Sequence, residues 1–195
     1  MKRNFILSLL CFIATLANAQ AVTNGYYITS TNDTLITQLK VPETLFNQVS
    51  IDRLYNKIKV VDSTGNFTKL NPESINGFGF TWRDKEYVFI SKPVKHKGRK
   101  FFEVLSSGNK ANLLYYSFNN YAGKSRNRKE IFIIEKPVET DLLLKNSQTR
   151  RRIKNSLKEF YSDNPTLLQV IDSSDISFWH LKNSLKALVD DINKL

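Results

Sequence analysis

Between Gly25 and Glu135 the chain is cut into short runs of aromatic and β-branched residues, one roughly every ten positions. This punctuation limits the segment to an antiparallel meander, a sandwich or a barrel. The runs are residues 25–30, 34–41, 57–61, 67–70, 78–82, 86–90, 100–105, 112–118 and 130–135. Residues suited to tight turns separate them: Thr31-Asn32-Asp33, Asp62 to Asn66, Arg83-Asp84-Lys85 and Ser106 to Asn109. Asn71-Pro72-Glu73-Ser74 resembles a helix start, with proline in the first position, but Gly77 leaves room for one turn only. Asn119 to Lys129 is the longest expected loop. Gly77 and Gly79, on either side of Phe78, mark a bulge or a close approach within a strand.

After Pro137 the period changes. Ile153, Leu157, Phe160 and Tyr161 recur at helical spacing, and Asp163-Asn164-Pro165 reads as a stop followed by a capped start. Leu167, Leu168, Val170 and Ile171 make a short apolar helix, which Ser173-Ser174-Asp175 breaks. Phe178, Leu181, Leu185, Leu188 and Ile192 then step by three or four, with Lys182, Lys186 and Asp190 off that stripe. Burying one large apolar side chain is worth roughly 1.5–3 kcal/mol, so the stripe needs a cover, normally from the same chain. The expected fold is α+β, with an antiparallel β-rich domain over residues 20–138 and a helical C-terminal segment over residues 139–195.

Residues 1–19 have the three parts of a cleavable secretory signal. Lys2 and Arg3 are basic, Phe5 to Leu16 are apolar apart from Ser8 and Thr15, and Ala17-Asn18-Ala19 offers small residues for cleavage before Gln20. The apolar run is short for a bilayer span, which takes about 20 residues. Cys11 follows Leu9-Leu10 rather than a small residue, which argues against lipidation there. Cleavage would remove this one cysteine, so the mature chain would depend on a hydrophobic core without disulfides. The expected location is periplasmic or extracellular, with peripheral attachment to the outer membrane as one arrangement.

The chain carries 29 Lys and Arg against 18 Asp and Glu; without Lys2 and Arg3 the basic count is 27. The excess is clustered. Lys92, Lys95, Lys97, Arg99 and Lys100 surround one turn with His96; Lys124, Arg126, Arg128 and Lys129 form a second cluster; Arg150, Arg151, Arg152 and Lys154 form a third. In a cytoplasmic protein such clusters would suggest nucleic acid. Export instead suggests an anionic envelope component or a protein partner, and a basic residue close to an anionic surface adds on the order of 1 kcal/mol. The clusters either keep loops solvated or make that contact. In the second case the contacting residues are Lys95, Lys97, Arg99, Lys100, Lys124, Arg126, Arg128, Lys129, Arg150, Arg151 and Arg152.

Several segments, read in order, resemble a group of exported proteins of Gram-negative bacteria with no assigned activity. They are Gly25-Tyr26-Tyr27-Ile28-Thr29 before Asn32-Asp33-Thr34, Asn71-Pro72-Glu73-Ser74-Ile75-Asn76-Gly77-Phe78, Phe101-Phe102-Glu103-Val104-Leu105 and Leu114-Tyr115-Tyr116. The similarity covers roughly residues 25–118, with a further echo at Tyr161 to Leu168. It departs at the first turn, where Asn32 stands in place of the usual glycine. The resemblance implies an envelope protein with a β-rich body and carries over no site residue.

Catalytic patterns are missing from the sequence. His96 and His180 are the two histidines, and neither has the close ligand spacing of a zinc site. There is no Gly-x-Ser-x-Gly elbow and no phosphate-cradling glycine loop. Asp190 and Asp191 are adjacent on a helix and point apart, which suits a solvated face. Tyr26, Tyr27, Phe78, Phe80, Trp82, Tyr87, Phe89, Tyr115 and Tyr116 sit in strands, where aromatic residues are favoured for packing. A non-catalytic binding or scaffolding module without a cofactor is therefore expected. An envelope hydrolase with a site assembled from distant residues, and a subunit that docks through its last helix, stand beside it.

Overall fold

The structure, a computed structural model, describes residues 21–44, 46–62, 64–122, 125–137, 141–177 and 179–195. The signal segment at residues 1–19 lies outside them. The chain runs β1 (Val22–Thr29), β2 (Thr34–Lys40), α1 (Ile51–Leu54), β3 (Ile58–Val61), β4 (Phe67–Leu70), β5 (Ile75–Trp82), β6 (Lys85–Val94), β7 (Gly98–Ser106), β8 (Asn112–Ala122), β9 (Ser125–Glu135), β10 (Leu142–Lys145), α2 (Arg150–Phe160), α3 (Pro165–Ser173) and α4 (Leu181–Lys194).

Among the described residues the strands form one sheet, ordered β10-β9-β8-β7-β6-β5-β1-β2-β3-β4. Every pairing is antiparallel, so the α+β expectation holds. The turns explain the meander. Asn32 takes a left-handed φ of 68°, the conformation for which asparagine substitutes for glycine. Arg83 and Asp84 (φ 50° and 61°) make a two-residue hairpin of the kind that matches strand twist.

Strand alternation sorts side chains onto two faces. Phe78, Phe89 and Phe101 share one face: Phe78 stacks on Phe89 at 4.7 Å and meets Phe101 edge-on at 4.8 Å. Farther along, the same face carries Leu113, Phe132 and Ile134, all buried, and α4 lies across it. Leu181, Leu185, Leu188 and Ile192 are buried there, so this part of the apolar stripe is covered within the chain; Phe178 lies outside the described residues. Polar contacts fix the docking. Lys182 Nζ donates to Glu103 Oε2 (2.8 Å) and lies 4.2 Å from the Tyr115 ring centre, while Ser106 Oγ donates to Asp190 Oδ1 (2.6 Å). Asp190 is thus a docking residue as well as the partner of Lys186. Gly79 confirms the close-approach reading: a Cβ there would lie 2.5 Å from the Tyr26 hydroxyl.

Two local expectations change, and two local details are added. Asn119 to Lys129 is mostly strand, because β8 and β9 stay paired as far as Ala122 opposite Ser125. Leu142–Lys145, placed in the helical segment by sequence, is the edge strand β10 paired with β9. Four residues are too few for a period of two to stand out from one helical turn. Ile51–Leu54 forms a short helix that the pattern did not signal. Asn71 to Ser74 is a turn in which the Asn71 side chain accepts the Glu73 and Ser74 N–H groups.

Candidate binding site

The sheet is interrupted between β7 and β8. They pair only through Glu103 with Tyr115, Val104 with Leu114 and Ser106 with Leu113. Gly98 to Phe102 pair with β6, and Tyr116 to Ala122 pair with β9. The segment at and after α1 enters the gap. The Tyr55 carbonyl accepts the Phe101 N–H at 3.0 Å, and its ring meets Tyr116 edge-on at 5.0 Å.

Asp52 brings a carboxylate to the far strands. Arg128 Nη2 donates to Ser117 Oγ at 2.7 Å and more weakly to Asp52 Oδ1 at 3.4 Å. Tyr115 donates its hydroxyl to Glu130 Oε1 at 2.7 Å. Burial, helped by the Glu130 charge, pushes the Tyr115 phenol up to about 12. Burial also raises the Tyr55 phenol, whose hydroxyl lies beside Ser117 without a hydrogen-bond partner.

On the opposite face lies a cavity of about 550 Å³. Val94, Phe102, Phe118, Ile131 and Leu143 form its apolar walls, and Lys95, Lys97, Lys129 and Lys145 stand around it. Each lysine has a positioning cause. Val94 to Lys97 is a tight turn closed by the Lys97 N–H donating to the Val94 carbonyl (2.9 Å), with left-handed φ at His96 (63°) and Gly98 (69°). It presents Lys95 and Lys97 at the rim. Lys129 and Lys145 follow from register: Phe118 faces Lys129, and Lys145 faces Ile131, so all four share one face. Asn146 ties the end of β10 to β9, donating to the Arg128 carbonyl and accepting the Glu130 N–H, both at 3.1 Å.

Glu130 also borders the cavity, but its carboxylate is engaged by Tyr115. Among the described residues, no carboxylate lies within ion-pair distance of Lys95, Lys97, Lys129 or Lys145. Glu130 adjoins Lys129 in sequence, but alternation puts its carboxylate on the other face with Tyr115. Lys97 Nζ rests 4.0 Å from the centre of the Phe118 ring, held by the ring's negative face.

The remaining basic residues singled out by sequence divide clearly. Arg99 is a structural clamp: Nε donates to Ser91 Oγ (2.9 Å), Nη2 to the Ser91 carbonyl (2.8 Å), and its backbone N–H to Glu73 Oε1 (3.0 Å). Lys100 donates to Asn56 Oδ1 at 2.8 Å. Arg128 belongs to the Asp52 network. Lys124 lies outside the described residues, as does the side chain of Arg126. Arg150, Arg151 and Arg152 open α2, where Arg150 pairs with Asp175 at 2.7 Å. Thus Lys95, Lys97 and Lys129 converge at this cavity, whereas Arg150 and Arg151 line a separate one of about 410 Å³ with Lys154 and Lys158, where Arg150 and Lys158 have carboxylate partners.

Lys145 belongs to none of the three basic clusters in sequence and lies in the C-terminal segment, where pairing with β9 rather than local pattern makes it strand. Phe102 and Phe118 were visible as strand aromatics, but nothing in their spacing marks them as cavity walls. Neither histidine side chain makes a hydrogen bond among the described residues: His96 sits at the turn and His180 precedes α4. Among those residues there is also no group of three His, Cys, Asp or Glu placed to hold a metal, and no helix long and apolar enough to cross a membrane. No protein-family model, curated protein or solved structure matches the chain.

Proposed function

We propose that this is an exported, non-catalytic binding module of the bacterial cell envelope that engages an anionic partner through Lys95, Lys97, Lys129 and Lys145. The observation that carries this reading is the gathering of four unpaired lysines around one apolar-walled cavity. By contrast Arg99, Arg128 and Lys182 each bond to residues of the sheet. Like charges held together without carboxylates repel one another, and a bound anion relieves that repulsion. The signal-like segment at residues 1–19 supports export.

Co-sedimentation of the mature chain with anionic and zwitterionic vesicles, at rising sodium chloride, tests the binding. Retention by the anionic vesicles at about 20 mM salt and release as the Debye length shrinks are expected. No retention at low salt would contradict the reading. Mass spectrometry of the N-terminus after cell fractionation tests export, with a mature chain beginning at Gln20 expected outside the cytoplasm.

A further inference from the structure

An inorganic anion needs charge and hydrogen-bond donors but has no use for aromatic and aliphatic walls. The cavity offers both. Its volume, about 550 Å³, falls within the roughly 300–1,000 Å³ usual for small-molecule sites. Phe102 and Phe118 make an aromatic wall on β7 and β8, Leu143 on β10 stands half-exposed at the mouth, and the four lysines lie around the same opening.

We infer that the cavity takes a single-chain anionic amphiphile, with one alkyl or aryl chain against Phe102, Phe118 and Leu143 and a phosphate or carboxylate head among the lysines. The inference rests on the anionic-binding reading above and adds the apolar half of the ligand. Lys97 has a specific part. Its ammonium covers the Phe118 ring at 4.0 Å, so a chain lying on that ring displaces it toward the head group. The cation thereby exchanges a ring face for a full negative charge, the stronger partner. Lys97 thus covers the apolar wall when the cavity is empty and contacts the head when it is filled.

Calorimetric titration of the mature chain with monomeric alkyl phosphates tests this. Affinity should climb from butyl to octyl phosphate by roughly threefold to fourfold per methylene and then level off. Inorganic phosphate should bind more weakly than butyl phosphate, and so at least several hundredfold more weakly than octyl phosphate, and neutral octyl glucoside should not compete. Leu143→Asp should weaken octyl phosphate by about tenfold and leave inorganic phosphate little changed. This side chain is half-exposed, so the variant keeps its fold, as circular dichroism would verify. Lys129→Glu should weaken both ligands.

Equal affinity for inorganic and octyl phosphate, or an unchanged Leu143→Asp variant, would overturn the amphiphile while leaving anion binding intact. Binding to anionic vesicles with no binding of the monomer would overturn it too, placing the contact at a membrane surface. Failure of every anionic probe would remove both readings.

Discussion

Arg128 and Lys129 are neighbours on β9 with opposite circumstances. Arg128 faces the gap between β7 and β8, which the chain fills with its own Tyr55 and Asp52, and its guanidinium meets Ser117 and Asp52. Lys129 faces the cavity on the other side, where the chain supplies apolar walls and three more lysines. One opening is closed with a ring and a counter-charge; the other is left open with its charge unpaired. A basic cluster in sequence therefore mixes two kinds of residue, and strand alternation separates them.

The strongest way to break this comparison is Tyr55→Ala. Tyr55 is almost fully buried, and removing a buried aromatic costs about 3–5 kcal/mol. Urea unfolding should show that loss, whereas Leu143→Ala at the open cavity should change stability by less than about 0.5 kcal/mol. Similar losses at both positions would mean that the cavity is as structural as the gap.

The alkaline limb of stability sharpens it further. Tyr115 is raised by burial to about 12 from 10.0. A raised tyrosine stabilises the fold fully below its unfolded value, and that contribution disappears as pH rises from about 10 through 12, on the order of 2 kcal/mol. Tyr115→Phe should flatten this fall, and tyrosinate absorbance should show one late-titrating phenol fewer. An unchanged alkaline profile would place Tyr115 in water.

Smaller effects follow. Arg128→Ala should cost about 1 kcal/mol, since its hydrogen bonds are charge-assisted but the side chain is half-exposed. Lys129→Ala should stay within about 0.5 kcal/mol while weakening anion binding. Tyr55→Phe, which deletes an unpartnered buried hydroxyl, should be neutral or add up to about 1 kcal/mol. Thermal unfolding of the three variants reads the stability changes, and vesicle co-sedimentation reads the loss of anion binding.

The strand runs, the turn at Asn32 and the last helix were legible because each obeys a strong local rule: alternation, left-handed backbone or a stripe at helical period. Leu142–Lys145 was not, since four residues carry too little period, and its strand character comes from pairing with β9. The gap and the cavity were invisible for a related reason. Both depend on where β7 parts from β8, a matter of register between segments distant in sequence. Sequence clustering picked out Lys95, Lys97 and Lys129 but could not tell Lys129 from Arg128.

The most direct test of the account sets two charge reversals of equal size against each other. Lys95→Glu with Lys129→Glu alters the cavity, and Arg150→Glu with Arg151→Glu alters the start of α2 by the same net charge. Co-sedimentation with anionic vesicles at low salt should fall by about tenfold or more for the first pair and stay close to wild type for the second. Equal losses for the two pairs would contradict the account, showing that the lysine cavity has no special part in holding the protein to its partner.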